Sequence, residues 1–152
     1  MSGSHSLKSL LAALALAVPP GAVLAGEINA ENGIAIKGYD PVAYFSDNAP
    51  VAGRPEFSAS YKGATFQFAS AAHKAQFEAD PAKYAPQYGG FCAFATAAGH
   101  KALVDPAAFT VVKGKLYLNY STQVRARWQQ DVPGYIGKAN AAWPQVVKQD
   151  DP

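Results

Sequence analysis

Apolar and polar residues alternate with a period of two across Phe57-Ser58-Ala59-Ser60-Tyr61 and again across Thr65-Phe66-Gln67-Phe68. Lys62-Gly63 separates the two runs, a spacing that predicts a β-hairpin. A second hairpin is expected where Thr110-Val111-Val112 and Leu116-Tyr117-Leu118 flank Lys113-Gly114-Lys115. Ile34-Ala35-Ile36 reads as an edge strand. Between these runs the period lengthens. Ser70 is a good N-cap for a helix over 71–79, with His73 and Phe77 on one face. Phe91–Ala98 reads as a helix with Gly99 just past its end. Thr122 is expected to cap a helix through Gln130, with Val124 and Trp128 on one face. Asp131 or Pro133 opens the last helix, where Tyr135, Ile136, Ala139 and Trp143 have core-facing spacing and Pro144 ends or kinks it.

Asp-Pro followed three residues later by an aromatic occurs at Asp40/Tyr44, Asp80/Tyr84 and Asp105/Phe109. Asp caps free N–H groups and Pro has none to lose at the first helical position, so each is expected to open a short helical turn. The irregular spacing excludes a solenoid. Tight hairpins interleaved with short helices predict an α+β fold, a small antiparallel sheet packed with several short helices.

The first 25 residues have a different character. Lys8 precedes the uncharged run Leu10–Val18, Pro19-Pro20-Gly21 ends it, and Val23-Leu24-Ala25 supplies small residues at a cleavage position. This is the layout of a secretory signal peptide, and the run is about half the ~20 residues of a membrane span. Cleavage is expected after Ala25, giving an exported, periplasmic chain. Residues 26–37 read as a short lead-in, and 38–148 as a single domain.

Loss of Lys8 leaves twelve Lys/Arg against eleven Asp/Glu. A balance so close to neutral, with no basic block, argues against nucleic acid and anionic membrane as partners. Cys92 is the only cysteine, so an internal disulfide and a dithiol redox cycle are both excluded. It follows Gln87-Tyr88-Gly89-Gly90-Phe91, at the start of an expected helix. At a helix N-terminus its thiolate would be favoured and able to bind a soft metal or react. Facing inward, it is a small hydrophobe. Tyr88, Gly89 and Gly90 are candidate ligand contacts, since glycines ahead of a helix can hold an anion, although the segment lacks the lysine of a Walker loop.

Thr65–Phe77 with Asp80-Pro81 and Tyr84 resembles the YHS domain. Gly38–Phe45, Tyr88–Ala93 and Gly114–Asn119 look like the exported, single-domain bacterial branch of that family, and the resemblance spans roughly Gly38 to Trp143. Relatives attached to heavy-metal pumps carry a cysteine just after the strand aromatic and another four residues on. Here those positions hold Ala69 and His73.

The resemblance and the donor types together point to a small ligand-binding module for copper or zinc. Its expected ligands are Cys92, His73 and His100, with Asp40 or Asp105 as oxygen donors. Two other readings stand beside it. One is a non-catalytic interaction or accessory protein with a buried, inert Cys92. The other is a thiol-dependent enzyme in which Cys92 is the nucleophile, His73 or His100 the base, and Asn119 or Asp105 the orienter.

Overall fold

Three two-residue reversals shape the sheets: Asn32-Gly33, Lys62-Gly63 and Lys113-Gly114 each have positive φ at both positions. That is the handedness of turn that matches the twist of flanking strands. A computed structural model describes residues 26–152; the expected leader at 1–25 lies outside them. The first reversal joins β1 (Ala30–Glu31) to β2 (Ile34–Ala35), the second β3 (Arg54–Tyr61) to β4 (Ala64–Phe68), and the third β5 (Asp105–Val112) to β6 (Lys115–Asn119). The first two hairpins merge into one sheet of order β1-β2-β4-β3, while β5 and β6 form a separate pair. The sheet is mixed rather than purely antiparallel, because β2 meets β4 in parallel at Ile34–Thr65. The fold is α+β, with short helices around both sheets.

Alternation works as expected in β4, where Ala64, Phe66 and Phe68 are buried and Thr65 and Gln67 are only partly covered. Helix α1 (Ala43–Ser46) follows Asp40-Pro41, and α2 (Ala71–Ala79) follows Ser70, whose hydroxyl accepts from His73 N. Phe77 of α2 reaches Phe66 and Phe68, with ring centroids 5.0 and 5.1 Å away. Helix α3 (Pro81–Tyr84) comes next, and its Tyr84 stands edge-on to Phe45. Two clusters result. The larger gathers Phe66, Phe68, Phe77, Leu116 and Leu118; the second centres on Trp128, Tyr117 and Ala139.

Four expectations shift. Ile34-Ala35, expected at an edge, lies between β1 and β4. Asp105-Pro106 opens β5 rather than a helical turn. The β-branched run that follows pairs with β6, Phe109 opposite Leu118, and strand pairing outweighs a local helical start. Pro106 is tolerated beside an irregularity of register between Asp105 and Phe109. Helix α4 (Ala93–Ala97) is shorter than expected because Cys92 is its N-cap. Helix α5 (Thr122–Trp128) is capped by Ser121, not Thr122, through a bond from Val124 N to Ser121 Oγ. Helix α6 (Val132–Val146) takes Asp131 as its cap and carries Pro144 inside its last turn.

The segment 26–37 is a wall of the domain. Ile28 and Asn29 are buried. Asn29 N donates to Gly89 O at 2.8 Å, Asn29 Nδ2 to Gly90 O at 3.0 Å, and Ile36 N to Asn29 O at 2.9 Å. This contact requires glycine at 89: φ is +63°, and a Cβ there would overlap the Glu27 carbonyl oxygen. Gly114 has a similar φ of +74° but open space around it. Gly114→Ala is therefore expected to cost about 1 kcal/mol of backbone strain alone. Gly89→Ala should cost about 3 kcal/mol or more. Urea unfolding of the two variants checks the difference.

Candidate functional site

Asp40 is fully buried and every direction around its carboxylate is used. Oδ1 accepts from Val42 N at 2.8 Å and Ala43 N at 3.3 Å. Oδ2 accepts from Ala69 N at 2.9 Å and His73 Nδ1 at 2.6 Å. A carboxylate on Nδ1 sets the tautomer of a neutral imidazole, leaving Nε2 as the acceptor. Nε2 lies 3.3 Å from Ser46 Oγ, and the His73 side chain is 16% exposed. The order Ser46–His73–Asp40 is that of a nucleophile, base and orienting acid. Its surroundings do not suit attack by Ser46. The hydroxyl also lies 3.0 Å from Asp47 Oδ1 and 3.3 Å from Val42 O, and the Asp47 carboxylate would repel a developing oxyanion. The group instead pins the start of α1, the end of β4 and the first turn of α2 to one another.

Cys92 is 1% exposed. Its sulfur accepts from Tyr120 N at 3.3 Å and Ala95 N at 3.5 Å, and its S–H faces Asn119 Oδ1 at 3.5 Å. Burial pushes the thiol above its ordinary pKa, against the smaller opposing pull of the Ala95, Tyr120 and Phe94 N–H groups. The helix-start position expected from the sequence is real, but desolvation outweighs it. Asn119 is also fully buried; its Oδ1 accepts from Phe94 N at 3.0 Å, so it anchors α4 to the end of β6.

The expected ligands are not assembled. His100 is exposed in the turn after α4, where its N–H closes onto Ala95 O at 3.1 Å. Asp105 caps Ala107 N at 2.9 Å. No three His, Cys, Asp or Glu groups among the described residues converge on a point that could hold an ion. With the Asp40 oxygens filled, Ala69 in place of a thiol and the Cys92 sulfur buried, the residues present do not fit a resident copper or zinc ion.

Tyr88 and Gly89 do border open space. A cleft of about 390 Å³ lies between the lead-in and α6, lined by Glu27, Tyr61, Lys62, Tyr88, Gly89 and Trp143 among others. Tyr88 and Trp143 stand edge to face at 6.0 Å, and Tyr88 O–H donates to Asn140 Oδ1 at 2.9 Å. A Lys62–Glu27 ion pair at 2.9 Å sits at the rim. Gly90, the third expected ligand contact, turns inward against Ile36 and Asn29.

Residues 42–88 match the family model of the YHS domain. Within those residues the chain has a YHS domain. The match runs from the entry of α1, past α2 and α3, to the Tyr88 turn, and so includes His73 and Ser46 but neither Cys92 nor His100. No curated protein and no solved structure matches the chain. Among the described residues, no helix is long and apolar enough to cross a membrane.

Sequence reasoning missed the pairing of Asp40 with His73, the seat of Ser46, and the part taken by Asn140. Asp40 and His73 stand 33 residues apart, and no periodicity links them. The one available signal was that both lie in the motifs that carry the YHS resemblance.

Two outcomes follow for this region. Asp40→Ala strands buried donors from three elements and should cost about 3–5 kcal/mol, read by urea unfolding. Cys92 should resist a thiol reagent in the folded protein and react only on unfolding. Because its folded pKa is raised, the unfolded thiol ionises first; the contribution of Cys92 to stability should be level below about pH 8.5 and fall above it. Cys92→Ser should reduce that alkaline decline.

Proposed function

We propose that the protein is an exported YHS module that captures a small, flat organic molecule in the cleft beside Tyr88 and Trp143. The observation that carries this reading is the cleft itself. Its volume of about 390 Å³ falls in the range of small-molecule sites, roughly 300–1,000 Å³. Rings from Tyr61, Tyr88 and Trp143 offer apolar faces, while Gln87, Asn140 and Lys62 offer polar contacts that would orient an occupant. The leader-like first 25 residues support export.

Nothing in the donor geometry favours copper or zinc over an organic ligand. The buried thiol favours an inert Cys92 over a thiol-dependent enzyme. An accessory protein without a small ligand is the competing reading, and the same titration separates the two.

Trp143 borders the cleft and Trp128 is fully buried, so tryptophan emission reports on the site. Titration with a panel of flat amides and carboxylates, nicotinamide and benzoate among them, should give saturable quenching by at least one member. Asn140→Leu should weaken that binding about tenfold, the equivalent of one lost hydrogen bond. Linear, non-saturating quenching by every member of the panel removes the reading and leaves the accessory role.

A further inference from the structure

Lys101 has a buried ammonium whose three donor positions are all taken. Nζ donates to Gly26 O at 2.8 Å, Gln149 O at 2.7 Å and Asp151 Oδ1 at 2.8 Å. Its side chain is 1% exposed and lies over the Phe91 ring, 4.8 Å from the centroid. A lone buried lysine is costly unless its charge is met, and here Asp151 meets it. The same carboxylate oxygen accepts from Gly26 N at 3.1 Å. Position 26 is close-packed: a Cβ would sit 2.8 Å from Asp151 Oδ2 and 3.2 Å from Ile28 O, so a side chain there would displace the Asp151 carboxylate. Gln149 Nε2 closes the strap by donating to Gly99 O at 2.9 Å. Gly26 is also the residue that would become the N-terminus if the chain is cleaved after Ala25.

We infer that the fold carries a socket for the α-ammonium that cleavage creates at Gly26, with Asp151 as its counter-ion and Lys101 as the group that holds the socket open. The inference rests on the export reading for where the ammonium comes from, and on geometry for where it binds. Hydrolysis of the Ala25–Gly26 peptide bond by a signal peptidase adds one water. The carboxylate remains on Ala25, and the Gly26 nitrogen leaves as an amine that takes up a proton. An amide N–H that made one hydrogen bond to Asp151 thus becomes a full positive charge beside it. Charge-assisted hydrogen bonds are roughly twice as strong as neutral ones. The new charge shares Asp151 Oδ1 with the Lys101 ammonium, so like-charge repulsion takes back part of that gain, and the remainder tightens the junction between Gly26 and Asp151.

The charged groups that face Gly26 N are the Asp151 carboxylate and the Lys101 ammonium. Both are present in either start of the chain, so comparing a start at Gly26 with one at Ala25 reads the effect of moving the amine one residue away from the carboxylate. The protein is released from a cleavable fusion to begin either at Gly26 or at Ala25, and thermal unfolding is followed from pH 6 to pH 10. The chain starting at Gly26 should melt about 2–5 °C higher at pH 6. An ammonium held by a carboxylate stabilises below its free pKa of about 7.7–8.0, and that gain is lost as pH rises through its folded value. The gap should therefore close by pH 10, and Asp151→Asn should at least halve it at pH 6. Equal melting at pH 6, or a gap that neither pH nor Asp151→Asn alters, overturns the socket. The origin of the ammonium is read separately from the mass of the protein recovered from the periplasm. A start other than Gly26 overturns export processing at Ala25 while the comparison of the two starts still tests the socket.

Discussion

The carboxylate of Asp40 is the constraint on which this domain turns. It is taken wholly out of water, and such a charge is tolerable only when its acceptor sites are filled. Donors come from the entry of α1, the residue after β4 and the first turn of α2. Each donor fixes the position of an element, so the carboxylate sets how the first sheet meets its helices. Pro41 next to it has no N–H to satisfy and leaves the Val42 and Ala43 donors to Asp40. Tyr44, one turn on, then sends its hydroxyl to Pro106 O at 2.8 Å and packs on Phe109, which ties the second sheet to the same corner.

That corner gives His73 its character. An imidazole on an exposed helix face is usually a solvated side chain. Here one ring nitrogen is committed to a buried acid and the other meets Ser46. The part of the YHS match that holds Ser46 and His73 is thus read most directly as architecture. The open cleft lies elsewhere, where Tyr61, Lys62 and Tyr88 of the matched segment meet the lead-in and α6.

Much of the fold was legible because it is local. Period-two runs around Lys62-Gly63 and Lys113-Gly114 are self-contained signals, and so are Ser70 ahead of α2 and Asp131 ahead of α6. Asp105-Pro106 misled because a local helix start competed with a strand whose partner, β6, lies further along the chain. The site was less legible for the same reason. Whether Cys92 is reactive depends on which groups cover it, and the cover comes from Asn119 and Tyr120, a separate stretch of sequence. A thiol at a helix start and a thiol in a core have the same neighbours in sequence and opposite chemistry. Lys101 is the converse: it looks like a surface lysine until Gly26 and Asp151 close over it.

The three matching reversals have a consequence for how the chain reaches this structure. Each joins strands that are adjacent in sequence, and hairpins of that kind close in about 1–10 μs. The parallel contact of Ile34 with Thr65 bridges a much longer loop and gains little until the hairpins on either side exist. Sequence separation therefore favours one order of assembly: hairpins first, then their merger into one sheet, and last the strap that joins Gly26 to Asp151, the widest span among them.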